Sequence, residues 1–194
     1  MDNPSSPGQL TGPKFRLLLY AAAGLEAGMA GVIWMFGCFF VAAFWNGRGI
    51  WSVPNLFATV FYGDVAYQDG FYRTTWAGLA LIVVLYGLLG AVWGCVWKER
   101  RRAGIGFYGA IAGLAAYYFF FDLVWPHANP LISLYAPDRQ LQVAHILWGV
   151  ALGRSPGYAA RIARTQHRPA DPPSGEYQTE VQEPAEIVSS ELIL

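Results

Sequence analysis

The chain alternates between long apolar stretches and short polar joints. Residues 17–44 hold one charge, Glu26; residues 76–97 hold none; residues 103–125 hold one, Asp122. Each stretch exceeds the ~20 residues an α-helix needs to cross a hydrocarbon layer of ~30 Å. A fourth, residues 137–153, reaches about 25 Å as a helix, just short of a full span. Arg139 and Arg154 stand at its two ends, where long cationic side chains can snorkel to the interfaces. The pattern predicts an all-α polytopic membrane protein with four transmembrane helices, over 17–44, 76–97, 103–125 and 137–153. The first stretch is too long for the 7–15-residue apolar core of a cleavable signal peptide.

Two of the joints carry short helical patterns of their own. Between Pro54 and Gly63, Leu56, Phe57, Val60 and Phe61 form one apolar stripe, with proline suited to a first turn and glycine to a stop. About ten residues cannot span, so this piece is expected at the interface or dipping between helices. Asn129 to Tyr135 repeats the idea on a smaller scale. Both are read as short interfacial helices in external loops, giving two tandem helix–short helix–helix units in the same orientation.

Glycines add a packing prediction. Gly87, Gly90 and Gly94 recur in the second helix with the spacing of Gly106, Gly109 and Gly113 in the third. Gly24 and Gly28 form such a pair in the first helix, and Gly149 and Gly153 in the fourth. Small residues four apart let helix backbones approach where lipid supplies no hydrophobic drive. All four pairs are expected to lie at helix–helix contacts.

Composition agrees with this picture. Apolar residues make up 55% and charged residues 13%, about half the charge of a soluble domain. The formal net charge is zero, from 13 basic and 13 acidic groups, but the two signs are segregated. Residues 169–194 hold six acids and no Lys or Arg, leaving 13 basic against 7 acidic groups in residues 1–168. With four crossings, ten basic residues fall on one side: Lys14, Arg16, Lys98, Arg100, Arg101, Arg102, Arg154, Arg161, Arg164 and Arg168. Arg48, Arg73 and Arg139 fall on the other. Cytoplasmic loops concentrate Lys and Arg, so both termini are expected in the cytoplasm, with the chain in a cell inner membrane. The organisation is then a cytoplasmic tail (1–16), a transmembrane domain (17–153), a basic juxtamembrane segment (154–168) and an acidic disordered tail (169–194). Arg100, Arg101, Arg102, Arg161 and Arg164 are expected to meet lipid headgroups; a nucleic-acid role is not expected.

Chemistry is sparse. Cys38 and Cys95 fall at opposite faces of the predicted bundle, and no CxxC motif is present, which argues against a disulfide and thiol redox work. No Walker loop, HExxH or GxSxG pattern occurs, and no metal or cofactor site is expected. Glu26 is the sharpest feature, counted about 14 Å into the first stretch and so near the midplane. An ionisable residue there is costly unless paired or hydrated. His145, also near mid-membrane, is its natural candidate partner, and such a pair could relay a proton. The alternative for each is a hydrogen-bonded group inside the bundle. Asp122 and His127, at the outer end of the third helix, are candidates for a cation or a headgroup, or simply solvated groups at a helix end.

From His145 to Gly153, with glycine at 149 and 153, the chain resembles the last helix of small bacterial inner-membrane proteins of unknown function. That resemblance covers residues 17–153 and implies a fold type and no activity. The single glutamate of the first helix is similar in placement to that of the small multidrug transporters. The residues around Glu26 depart from that family's motif, and the long external loops and tail depart from its plan.

Three functional classes follow. The first is a structural or accessory bundle that packs with lipid, with a second copy of itself or with a membrane-protein partner. The second is a small proton-coupled transporter using Glu26 with His145. The third, a membrane-embedded enzyme acting on lipid, has no convincing constellation behind it.

Overall fold

The structure, a computed structural model, describes residues 12–97 and 104–166. Among these the regular elements are all helical: α1 (Pro13–Trp45), α2 (Ser52–Tyr62), α3 (Arg73–Val96), α4 (Ile105–Tyr118), α5 (Trp125–Ala128), α6 (Pro130–Tyr135), α7 (Asp138–Leu152) and α8 (Ser155–Gln166). A 3₁₀ turn (Gly63–Ala66) follows α2. Three arginines expected at headgroups (Arg100, Arg101, Arg102), the acidic segment 169–194 and residues 1–11 lie outside the described residues.

Among the described residues, three helices are long and apolar enough to cross a membrane: Pro13–Trp45, Arg73–Val96 and the continuous rod Ile105–Ala128. α1 starts four residues before the apolar run, because Pro13 occupies its first turn, where a missing N–H costs nothing. It ends at Asn46, whose side-chain amide donates to the Ala42 carbonyl at 2.7 Å. Gly47 follows at φ +62°, a turn geometry that residues with a Cβ resist. The third rod is not a uniform α-helix. Phe119–Val124 forms a π-helical turn between α4 and α5. Pro126 explains it: without an N–H, it would leave the Asp122 carbonyl unpaired and press its ring against it, and a wider turn relieves both.

The helices assemble as two antiparallel pairs. α1 packs on α3 and α4 packs on α7, and the pairs join through α1 against α7. Glycine sets both seams. A methyl group at Gly24 would collide with the Gly90 carbonyl and lie 2.9 Å from the Gly94 Cα. On the second seam a methyl at Gly113 would strike the His145 carbonyl and one at Gly149 the Gly109 carbonyl, while Gly153 stands against Gly106. The backbones therefore touch directly, as the glycine spacing implies. Gly31 extends the theme on a different face of α1, where it makes room for Trp148 of α7.

Each pair is closed by short helices at one end, opposite the end where α1 begins and α3 stops. α2 and α6 meet there. α2 is not laid flat on a surface: Ser52 through Thr59 are all buried, and its Pro54 carbonyl abuts Gly78 of α3. The stripe expected along this helix is accordingly split, with Leu56 and Phe57 in the core and Val60 and Phe61 exposed. Two asparagines hold the arrangement. Asn55, fully buried, donates to the carbonyls of Gln68 and Gly70 and accepts from the Thr75 hydroxyl at 2.6 Å. Thr75 in turn accepts from the Tyr72 N–H at 2.9 Å, starting α3. Asn129 donates to the Thr59 hydroxyl at 2.7 Å and accepts from the Leu131 N–H, tying α6 to α2. These bonds satisfy polar groups in an apolar interior, where an unpaired one costs about 1–3 kcal/mol.

α8 turns back along α1, with Ser155 and Ala159 buried beneath it. It falls within the basic juxtamembrane segment expected over 154–168, and it rests on the bundle as well as offering a basic face.

Candidate functional site

The ionisable residues inside the apolar stretches are the candidates, and the structure sends them to different places. His145 is the middle residue of the fifteen-residue α7 and is completely buried. Its Nδ1–H donates to the Leu141 carbonyl at 2.7 Å, one turn back along the same helix. That bond leaves Nε2 as the acceptor in the neutral ring, and the Tyr86 hydroxyl of α3 donates to it at 2.6 Å. Aromatic rings close the remaining space. The edges of Tyr86, Tyr117 and Phe121 meet the imidazole at centroid distances of 5.3, 5.4 and 5.8 Å.

Beside this cage Trp148 stacks edge-on against Tyr86 at 5.3 Å. Its indole N–H donates to the Gly28 carbonyl of α1 at 3.1 Å. Helices α1, α3, α4 and α7 thus all contribute to one polar knot in the centre of the bundle. Both nitrogens of His145 are engaged, and no water-sized path reaches a residue of zero exposure. Chemically, the knot is suited to orienting four helices.

Glu26 lies elsewhere. It faces away from the Gly24 and Gly28 seam, as its position two residues from each requires, and meets Arg161 of α8. The guanidinium also lies 5.3 Å from the Tyr158 ring centroid, one turn earlier on α8. The pair is open, with side-chain exposures of 37% for Glu26 and 63% for Arg161. Gly24 and Gly28 bracket Gly90, which stands six residues from the end of α3. Glu26 is therefore about 9 Å from the level where α3 ends and about 20 Å from the start of α1. The expected contact between Glu26 and His145 does not occur. Packing decides it: α8 covers the Glu26 face of α1, whereas the His145 ring points between α3 and α4.

An exposed pair of this kind contributes little to stability. Glu26→Gln is expected to lower unfolding stability by less than about 1 kcal/mol, and to raise amide hydrogen exchange along α8 while leaving α3 and α7 unchanged. Mass-spectrometric exchange of the two proteins side by side reads this; unchanged protection of α8 would mean that the ion pair does not hold it.

Asp122 and His127 are both exposed, on the π turn and on α5 respectively. His127 donates from Nδ1 to the Leu123 carbonyl at 2.9 Å and so serves as a local helix-end bond. No group of three or more metal-ligating side chains is formed among the described residues. Cys38 and Cys95 are free and half-buried. Arg164 is on the last turn of α8.

Tyr86 and Trp148 are the residues that periodicity passed over. Aromatic side chains are abundant along these helices, and nothing local distinguishes the two whose polar atoms point inward. Asn55 had a usable signal, a lone amide within an apolar stripe right after a proline.

Compared with family models, curated proteins and solved structures, the chain matches none of them. Its function has to be argued from its own geometry.

Proposed function

We propose that the chain is a multi-pass membrane protein that crosses a bacterial inner membrane four times, and that it serves as a structural or accessory bundle packing with lipid or a partner. The crossings are α1, α3, the α4–α5 rod and α7, with both termini cytoplasmic and α2 and α6 near the outer interface. The antiparallel run of α7 along α4 and α1 supports the fourth crossing, although its 15 residues reach only about 22 Å. Arg139 and Arg154 flank it, and local thinning of the bilayer accommodates a short helix.

The observation that carries the accessory reading is the saturation of the central ionisable group. His145 has its two nitrogens bonded to Leu141 and Tyr86 inside a sealed aromatic cage. Glu26 is matched by Arg161 on another face. A proton carrier needs titratable groups that share an aqueous path; these two share neither a face nor a level.

Two measurements test this. With Cys38 and Cys95 replaced by serine, Asp64→Cys and Leu134→Cys are expected to label with an impermeant maleimide in intact cells. Ser174→Cys is expected to label only after lysis; labelling in intact cells would require an odd number of crossings. Proteoliposomes of the purified protein are expected to hold a pH gradient as empty vesicles do. Dissipation that Glu26→Gln abolishes would replace the accessory reading with proton-coupled transport.

A further inference from the structure

Toward the end where α2 and α6 sit, a groove of about 610 Å³ lies between α1 and α7. Its walls are Trp34, Cys38, Val41, Val143 and Leu147, with Gly37 as a floor. Gly37 packs on nothing: a methyl group built there meets no atom within 4 Å. In the α1 seams glycine brings backbones together, whereas here it leaves a trough. From Trp34 to Asn46 the trough runs twelve residues, or about 18 Å, close to half of a ~30 Å hydrocarbon core. It is as long as one leaflet is deep.

The groove changes character at its end. There Asn46, Arg139 and Gln140 line it. Asn46 and Gln140 also line an adjoining cavity of about 410 Å³, together with Arg48 and Ser52. Among the described side chains, no carboxylate lines either space. Among the described residues, neither Arg48 nor Arg139 forms an ion pair. An apolar trough about one leaflet long therefore carries Arg139 in its lining and adjoins a mixed polar and apolar cavity lined by Arg48, neither of them in an ion pair among the described residues.

The geometry points to a bound anionic phospholipid of the outer leaflet, one acyl chain lying in the α1–α7 groove and its phosphate held by Arg48 and Arg139. The inference rests on the membrane-spanning reading and names the lipid that this bundle keeps. Guanidinium groups suit phosphate because their forked donors match its oxygens. The acyl chain completes the packing of a face that Gly37 leaves empty. A second copy of the chain fits less well, since a partner helix would have to present an acidic group to two arginines at the end of an apolar ridge.

The test is native mass spectrometry of the full-length protein, delipidated in mild detergent and titrated with phosphatidylglycerol or phosphatidylcholine of the same acyl chains. The wild type is expected to retain one phosphatidylglycerol, preferred about ten-fold over phosphatidylcholine, as two phosphate-facing cations would favour. The Arg48→Gln, Arg139→Gln double variant is expected to lose the preference, and the Arg48→Lys, Arg139→Lys variant to recover most of it. Gly37→Leu is expected to lose both lipids with the arginines intact, since its side chain starts from open space and occupies the trough. Retention unchanged in Gly37→Leu, a preference unchanged in the glutamine variant, or no retained lipid in the wild type would each overturn the inference. So would a dimer that Gly37→Leu dissociates. The maleimide pattern is independent of lipid: intact topology without lipid retention sinks this inference alone, and altered topology sinks the four-crossing reading.

Discussion

Gly24→Val is expected to destabilise the protein by at least ~3 kcal/mol, at or beyond the upper end of ordinary overpacking. The added methyl groups would enter the Gly90 carbonyl and the Gly94 backbone. Those atoms belong to a helix main chain that cannot rotate out of the way as a side chain would. α1 and α3 must then separate along the whole seam, taking with them the close contacts of Gly28 with Tyr86 and Gly90. Gly109→Val is expected to behave alike, because its methyl groups would enter the Gly149 carbonyl of α7. Gly37→Ala supplies the contrast: it removes a glycine from the same helix, gains up to about 1 kcal/mol of helix propensity and meets no atom. Thermal unfolding in detergent separates these outcomes. A Gly24→Val protein as stable as Gly37→Ala would mean that the α1–α3 seam is not formed by backbone contact.

The second large effect is at the central knot. Tyr86→Phe removes the donor to His145 Nε2 and is expected to cost about 1–3 kcal/mol, the range for stranding a buried polar group. His145→Ala is expected to cost about 3 kcal/mol, since it strands the Tyr86 hydroxyl and leaves a cavity among Tyr86, Tyr117 and Phe121. The double variant is expected to lose less than the sum of the two, by between about 0.5 and 2 kcal/mol. A cycle between Glu26→Gln and His145→Gln is expected to be additive within ~0.5 kcal/mol, because the residues share no partner. Additivity in the Tyr86 cycle, or coupling in the Glu26 cycle, would mean that the knot is wired differently.

Much of the architecture was legible in one dimension. Three long apolar stretches became three long helices because length and hydropathy are local properties that a helix simply adds up. The glycine spacing pointed at both seams, since residues four apart share a face in any α-helix. The boundaries shifted where local chemistry intervened: Pro13 lengthened α1, and Pro126 widened a turn of the third rod.

The candidate site was less legible. Glu26 and His145 stood out as costly residues in apolar runs, and each has partners as that cost demands. Which partners they take depends on helix rotation and on the return of α8, and neither is encoded by spacing along one segment. Glu26 therefore meets Arg161, 135 residues away, and His145 meets Tyr86, 59 residues away. α2 carried a stripe that suits an interface or a dip between helices; two asparagine networks and Gly78 draw Leu56 and Phe57 inside and leave Val60 and Phe61 exposed.

The sequence by itself determined that this chain is helical, where its long apolar helices run, and which glycines lie at their contacts. These depend on intervals of three or four residues and on the free energy of burying apolar surface, which act along each segment alone. Only the tertiary structure decided that the central histidine is sealed by tyrosine, that the glutamate is held by α8, and that one glycine of α1 floors an open groove. Those outcomes depend on which faces of separate helices meet. A short-range pattern can name the faces but not pair them.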